Sequence, residues 1–238
     1  MMTVTVHRHS LLSGAAGASG VAIIIDVLRA FSCAALMFRY GISELALVRT
    51  PAEALAYRER HPGALAAGEV RGERAEGFDL GNSPLDIVQK GEDFFRGRRV
   101  ALRSSAGTQG ALEASATAAE IVLGSYMTAA ATARYVREAG GPAPAATIVA
   151  MGFEGVETSV EDERCGDYLE HLLTGAPYDH LAALLECFSE ASIARSLRGE
   201  HPYRSREDVI LALQRDIFDF AMVGRLVDGE VRVTRVDA

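Results

Sequence analysis

Five consecutive residues, Val21–Ile25 (VAIII), are apolar and almost all β-branched. A run so short and so apolar has no solvated face, so it reads as a central strand covered on both sides. An acid, Asp26, follows at once, and then a helix-prone segment to about Tyr40, closed by Gly41. Strand, polar turn and helix recur along the chain. Glu44–Val48, Ala64–Ala67, Val100–Arg103, Ile121–Leu123 and Thr147–Ala150 read as further strands. Helices are expected from Pro51 to about Arg60, over Ser83–Lys90, and from the Ser104–Thr108 turn to about Ala118. Others follow over Met127–Ala139, from about Val160 to Leu173, and twice more before Ser205. The N-terminus through His7 and His9 alternates like a short strand. In the tail, Phe218–Val223, Arg225–Val227 and Glu230–Val236 read as strands, the last two a hairpin around Asp228-Gly229. This alternation predicts an α/β sandwich with a largely parallel sheet. The one Gly/Pro-rich break is Gly140–Pro144.

In open α/β sheets ligands bind beyond the carboxyl ends of the strands. Four strand ends here lead into polar or small-residue segments, after Asp26, Ala67, Arg103 and Gly152. The richest is Gly68–Pro84 (GEVRGERAEGFDLGNSP), which carries Glu69, Glu73, Asp79 and Asn82 with almost no apolar bulk. It is expected to be a surface loop. Ser83 can cap the following helix and Pro84 can take its first position, so an anion could sit on the free N–H groups there. Magnesium prefers one or two carboxylates plus water and phosphate oxygens, so Asp26, Glu69 and Asp79 are candidate metal ligands that need not all bind. Asp26 could instead simply pair with Arg29. Ser104-Ser105-Ala106-Gly107-Thr108 offers three hydroxyls and a glycine between strand and helix. It could wrap anionic oxygens, although it lacks the Gly-Lys pair of a P-loop. Glu161 and Asp162 open a later helix, where acids also suit the helix dipole. Cys165, in the same helix, is either a packing residue or a substrate contact.

Composition narrows the partners. A net charge of −8 argues against a general nucleic-acid binder. Local arginines, which with Lys90 make up all 24 basic residues, could still bind a small anion. No apolar run approaches the length of a membrane span, and no secretory segment is present. The three cysteines, Cys33, Cys165 and Cys187, form no CxxC pair, so reduced thiols and a cytoplasmic setting are expected. His7 and His9 share a strand face, but two ligands do not make a zinc site. A homo-oligomer is compatible with all of this.

Together these segments resemble the 2-phosphosulfolactate phosphatase family, magnesium-dependent enzymes of coenzyme M biosynthesis. The likeness lies in IIIDVLRA (Ile23–Ala30), Gly68-Glu69 with GFDLGNSP (Gly77–Pro84), SSAGT (Ser104–Thr108) and VEDERCG (Val160–Gly166). It continues more weakly through Glu207–Asp216. The resemblance implies one ComB-like domain over residues 1–238, a three-layer α/β/α sandwich with internal halves of about 1–139 and 145–238. It implies Mg²⁺ as cofactor and Asp26, Glu69, Asp79, Glu161 and Asp162 as catalytic residues. Arg29, Asn82, Ser83, Ser104, Ser105, Gly107, Thr108 and Cys165 would contact a small anionic phosphorylated substrate. Three positions depart from the family pattern. Val70 stands where the family has arginine, which Arg71 or Arg74 could replace. Ala106 stands where it has asparagine, and Ala150-Met151 where it has cysteine-alanine. Two rival readings remain open: another hydrolase or lyase of sulfonated or phosphorylated hydroxy acids, and a non-catalytic anion binder on the same fold.

Overall fold

The computed structural model describes residues 4–139 and 144–238; the Gly140–Pro144 break, except for Pro144, lies outside the described residues. Strands are β1 (Thr5–Ser10), β2 (Val21–Ile25), β3 (Glu44–Leu47), β4 (Leu65–Val70), β5 (Glu73–Arg74), β6 (Arg99–Arg103), β7 (Glu120–Gly124), β8 (Ala145–Ala150), β9 (Phe220–Val227) and β10 (Glu230–Asp237). Helices are α1 (Leu11–Ala16), α2 (Ala30–Arg39), α3 (Pro51–Arg60), α4 (Pro84–Phe95), α5 (Gly107–Ala114), α6 (Ala129–Ala139), α7 (Val160–Thr174), α8 (His180–Ser189), α9 (Ala191–Leu197) and α10 (Arg206–Ala212). The strands form one mixed sheet in the order β1-β8-β2-β7-β9-β10-β3-β6-β4-β5. Two parallel blocks, β1-β8-β2-β7 and β3-β6-β4, are joined through the antiparallel β9–β10 hairpin. The expected α/β sandwich on a mixed sheet is what forms.

All five residues of β2 are buried, as a strand without a polar face must be. Pleating divides them: Ile24 packs with α2, α5 and one side of the sheet, while Ile23 and Ile25 pack with α6, α7 and α9 on the other. Each fully buried Ile contributes roughly 1.5–3 kcal/mol of burial free energy. In the second block Leu45, Leu47, Leu65 and Leu102 share the Ile24 side. Ala46, Ala66 and Ala101 face α3 through Ala54 and Tyr57. Helix starts follow the expected chemistry. Thr50 accepts from Glu53 N–H ahead of Pro51, and Ser83 from Asp86 N–H ahead of Pro84.

Several elements depart from expectation. β9 is continuous through Gly224 because each of its residues pairs with β10. Helices α1 and α10 are additional; each is short, and α10 is held by a capping box of Ser205 and Asp208. The stretch after Ala67 is no surface loop at its start. β4 runs on through Glu69 and pairs with β5, and Glu69, Leu80 and Asn82 are buried. Burial of Glu69 is tolerated because backbone N–H groups meet its carboxylate oxygens, whereas the Asn82 Oδ1 has no partner in the protein.

β2 and β6 stand five positions apart in the sheet and run in opposite blocks. The segments that follow them nevertheless meet. The Gly107 N–H after β6 donates to Asp26 after β2 at 2.9 Å.

Candidate active site

A cavity of about 430 Å³ opens where these strand ends converge. Asp26, Glu69, Ser105 and Gly152, which follow or end β2, β4, β6 and β8, line it. Arg29, Asn82 and Glu161 complete that wall. The convergence expected of four strand ends is present.

Asp26 sits between two helix starts. Oδ1 accepts from Ala30 N–H at 3.0 Å and Oδ2 from Gly107 N–H at 2.9 Å. No side chain larger than glycine fits at 107, because a Cβ would lie 2.6 Å from Oδ2. Burial pushes the Asp26 carboxyl up to about 6, against the two N–H groups; the charge of Glu69 adds to the rise and Arg29 opposes it. Glu69 is held the same way. Oε1 accepts from Ser105 N–H at 2.5 Å, and Oε2 from Gly72 N–H at 2.5 Å and Ser105 Oγ at 3.2 Å. Both acids are therefore fixed by backbone, not by mobile side chains.

Arg29 does not pair with Asp26. Its guanidinium, only 6% exposed, donates to the carbonyls of Tyr203 and Gly72 and to Asp208. It clamps the α9–α10 connector onto the β4–β5 turn. Asp162 is a positioning group. Its two oxygens accept from Val27 N–H and Gly152 N–H, each at 2.8 Å, and so tie the ends of β2 and β8 together. Burial first, then the charges of Glu161 and Asp26, raise its carboxyl well above the usual range. Glu161 itself lines the cavity, with its carboxyl raised mainly by burial. Ser104 and Thr108 bond reciprocally across the turn and shape it without reaching the cavity.

Four candidates lie elsewhere. Asp79 turns away because its Oδ2 accepts from Ala66 N–H at 2.8 Å and from Arg58 at 3.0 Å. Glu73 is exposed on β5, so the acids of the polar stretch do not cluster. Ser83 caps α4 and donates to Asp208. Cys165 lies fully buried among Ile25, Tyr126 and Leu169, and burial drives its thiol well above the usual range. We expect Asp79→Asn to leave turnover within a few-fold of wild type and to cost about 1 kcal/mol, the worth of a half-exposed pair and one backbone bond. A loss of activity without loss of stability would return Asp79 to the site. Cys165→Ala should likewise keep turnover within twofold, lowering the denaturation midpoint by at most about 2 kcal/mol equivalent. A variant that melts normally but is inactive would contradict the packing role.

Of the two arginines that could replace the one missing at Val70, one is in place, and sequence reasoning passed over the α9–α10 side of the cavity. Arg71, one position after the departing Val70, lines the cavity, as Arg74 does not. The α9–α10 connector brings His201, Tyr203 and Arg204, and α9 brings Ser192. These residues carry no motif; only the arginine density of residues 195–206 hinted at them.

A family model described as 2-phosphosulpholactate phosphatase matches residues 6–225. A Bacillus subtilis protein named "Probable 2-phosphosulfolactate phosphatase" is 28% identical over 226 residues, 94% of this chain and 93% of its own. A protein of the same name from Deinococcus radiodurans is 44% identical over 115 residues, covering 48% of this chain and 47% of that protein. A third, from Caldanaerobacter subterraneus, is 28% identical over 235 residues, 90% of each chain.

Proposed function

The chain belongs to the 2-phosphosulpholactate phosphatase family, and from that premise we propose that it hydrolyses the phosphate monoester of 2-phosphosulfolactate or of a related phosphorylated hydroxy acid. One observation supports this most: a single cavity carries two backbone-fixed acids, Asp26 and Glu69, together with the cationic Arg71 and Arg204. A cavity that combines fixed acids with cations suits a phosphorylated acid better than a neutral ligand.

Asp26 and Glu69 would hold Mg²⁺. The fit rests on their chemistry: two buried carboxylates, with the Glu69 charge adding to the cost of ionising Asp26, each with acceptor capacity beyond its N–H partners. Among the described residues no group of three or more His, Cys, Asp or Glu could hold a metal. Water and substrate oxygens would therefore make up the remaining ligands. Bound there, the ion would supply charge stabilisation to the phosphoryl oxygens. Arg71 would bind the phosphoryl group by the bidentate contact that guanidinium favours. Glu161, protonated to higher pH than an ordinary glutamate, would give its proton to the leaving alkoxide. Asp162 would keep the ends of β2 and β8 in register around the reacting group.

The test is phosphate release from phosphosulfolactate, phospholactate and other phosphorylated hydroxy acids, with Mg²⁺ and with a chelator. Mg²⁺-dependent release from at least one supports the proposal. Release unaffected by the chelator would remove the metal from it. Binding without release from any of them would favour the non-catalytic anion binder. No helix among the described residues is long and apolar enough to cross a membrane.

A further inference from the structure

We propose that Arg204 and His201 form a second anion subsite, which binds the carboxylate or sulfonate of the substrate while its phosphate lies against the Asp26 wall. The inference rests on the phosphatase reading of the cavity and names the residues that would select among its substrates.

Arg204 is held in place by neutral groups. Its Nε donates to Ser196 Oγ at 2.8 Å and its Nη2 to Ser192 Oγ at 2.5 Å, and it forms no ion pair among the described residues. Serine hydroxyls orient a guanidinium without neutralising it. Glu190, which lines the same cavity, is occupied in capping α9, accepting from Ile193 N–H at 2.7 Å. Glu161 attracts Arg204 through space but does not pair with it. Burial pushes the Arg204 pKa down, the direction expected of a cation short of a counter-charge.

His201 adds a second unmet demand. Its Nδ1 is buried with no hydrogen-bond partner in the protein, while the ring stands edge-on to Tyr203 with centroids 4.6 Å apart. Burial first, then Arg204, Arg195 and Arg29, lower its pKa to about 4. The imidazole is thus neutral in a field of arginines, and an entering anion would accept its N–H bond and balance that field. Buried polar atoms without partners are rare enough to call for a ligand or water.

The wall is also rigid. Arg29 bonds the Tyr203 and Gly72 carbonyls, and the Tyr203 ring fills the space beside Gly72 so closely that a Cβ there would lie 2.1 Å from it. A fixed guanidinium loses little freedom on binding, which favours a planar carboxylate or a sulfonate.

The comparison to make is kcat/KM for three esters at one Mg²⁺ concentration. Phosphosulfolactate and phospholactate carry a second anion; glycerol 2-phosphate carries none. In the wild type the ratio of phosphosulfolactate, which carries both a carboxylate and a sulfonate, to glycerol 2-phosphate reads the subsite. We expect Arg204→Gln to lower that ratio by about 10- to 100-fold and Arg204→Lys to recover part of it. Comparing phosphosulfolactate with phospholactate tells whether sulfonate or carboxylate is the group bound. A purely structural Arg204 would lower all rates and leave the ratio within twofold, which would overturn the proposal. Should Arg204→Gln not fold, Ser192→Ala, which frees Nη2, should lower the same ratio by about three- to tenfold, and an unchanged ratio would overturn it. If the wild type cleaves none of the esters, the phosphatase reading fails on its own. Calorimetric binding of sulfoacetate, which has both anions and no phosphate, then decides. Binding weakened at least tenfold by Arg204→Gln sustains the subsite, and equal binding by both proteins ends it.

Discussion

Asp26→Asn is expected to lower kcat/KM for phosphate release on the order of 10³-fold while leaving a folded protein. A contact between a carboxylate-held cation and the transferring phosphoryl group contributes several kcal/mol, and each 1.4 kcal/mol is about tenfold in rate. The amide matches the carboxylate in shape, so Gly107 is not displaced. It accepts only at its oxygen, however, whereas Ala30 N–H and Gly107 N–H both donate to Asp26 in the wild type. One buried N–H therefore loses its partner, at a cost of about 1–3 kcal/mol.

A compensation with a definite sign should appear in chelator. The Asp26 carboxyl rises from the ordinary 3.8 to about 6 on folding, chiefly through burial. The folded protein then holds this proton more tightly than the unfolded chain. That contribution to stability is full below about pH 4 and is lost as pH rises to about 6, amounting to roughly 3 kcal/mol. Asp26→Asn removes this part of the slope. Glu161 and Asp162, whose carboxyls are also raised, keep theirs. The variant should thus be less stable than wild type near pH 4 and approach or match it near pH 7. Activity within tenfold of wild type, or an unchanged pH slope in urea unfolding, would remove Asp26 from the role given to it.

The framework of this fold is legible wherever local chemistry decides it. VAIII can only be a doubly covered strand, Pro51 and Pro84 each follow a capping hydroxyl, and Asp228-Gly229 closes a hairpin. The strand-end carboxylate Asp26 could also be singled out from its neighbours in sequence. What could not be read is which acids of Gly68–Pro84 point inward. Glu69 does because β4 continues and its pleat carries that side chain to Ser105, 36 residues away. Asp79 does not, because the Ala66 N–H, only 13 residues away, claims it first. Nor could the Arg204 and His201 wall be found from spacing. It depends on Arg29 reaching Tyr203 across 174 residues. Partner choice over such distances is set by sheet order and twist, and neither leaves a local trace.

Gly68→Ala should be the most damaging substitution of a single small residue in the chain. Gly68 has φ +126°, a conformation that side chains rarely adopt, and it pairs in register with Arg103 of β6. A Cβ there would stand 1.8 Å from the Arg103 carbonyl oxygen, so backbone must move against backbone. Overpacking of that kind, added to the strain at φ, should cost about 3 kcal/mol or more. The displacement would be felt at once in the site. The next residue is Glu69, whose carbonyl accepts from Arg103 Nη1 and whose carboxylate takes the Ser105 N–H. Turnover should therefore fall even at temperatures where the variant remains folded. Gly97→Ala separates the two causes, because Gly97 has φ +72° and nothing within 4 Å of the added Cβ. It should cost only the strain of about 1–2 kcal/mol and leave kcat/KM unchanged. Urea midpoints for both variants, with initial rates measured below the transition, make the comparison. If Gly68→Ala lost no more stability than Gly97→Ala, the tight β4–β6 approach would not be what holds Glu69 in place, and another support for that carboxylate would have to be sought.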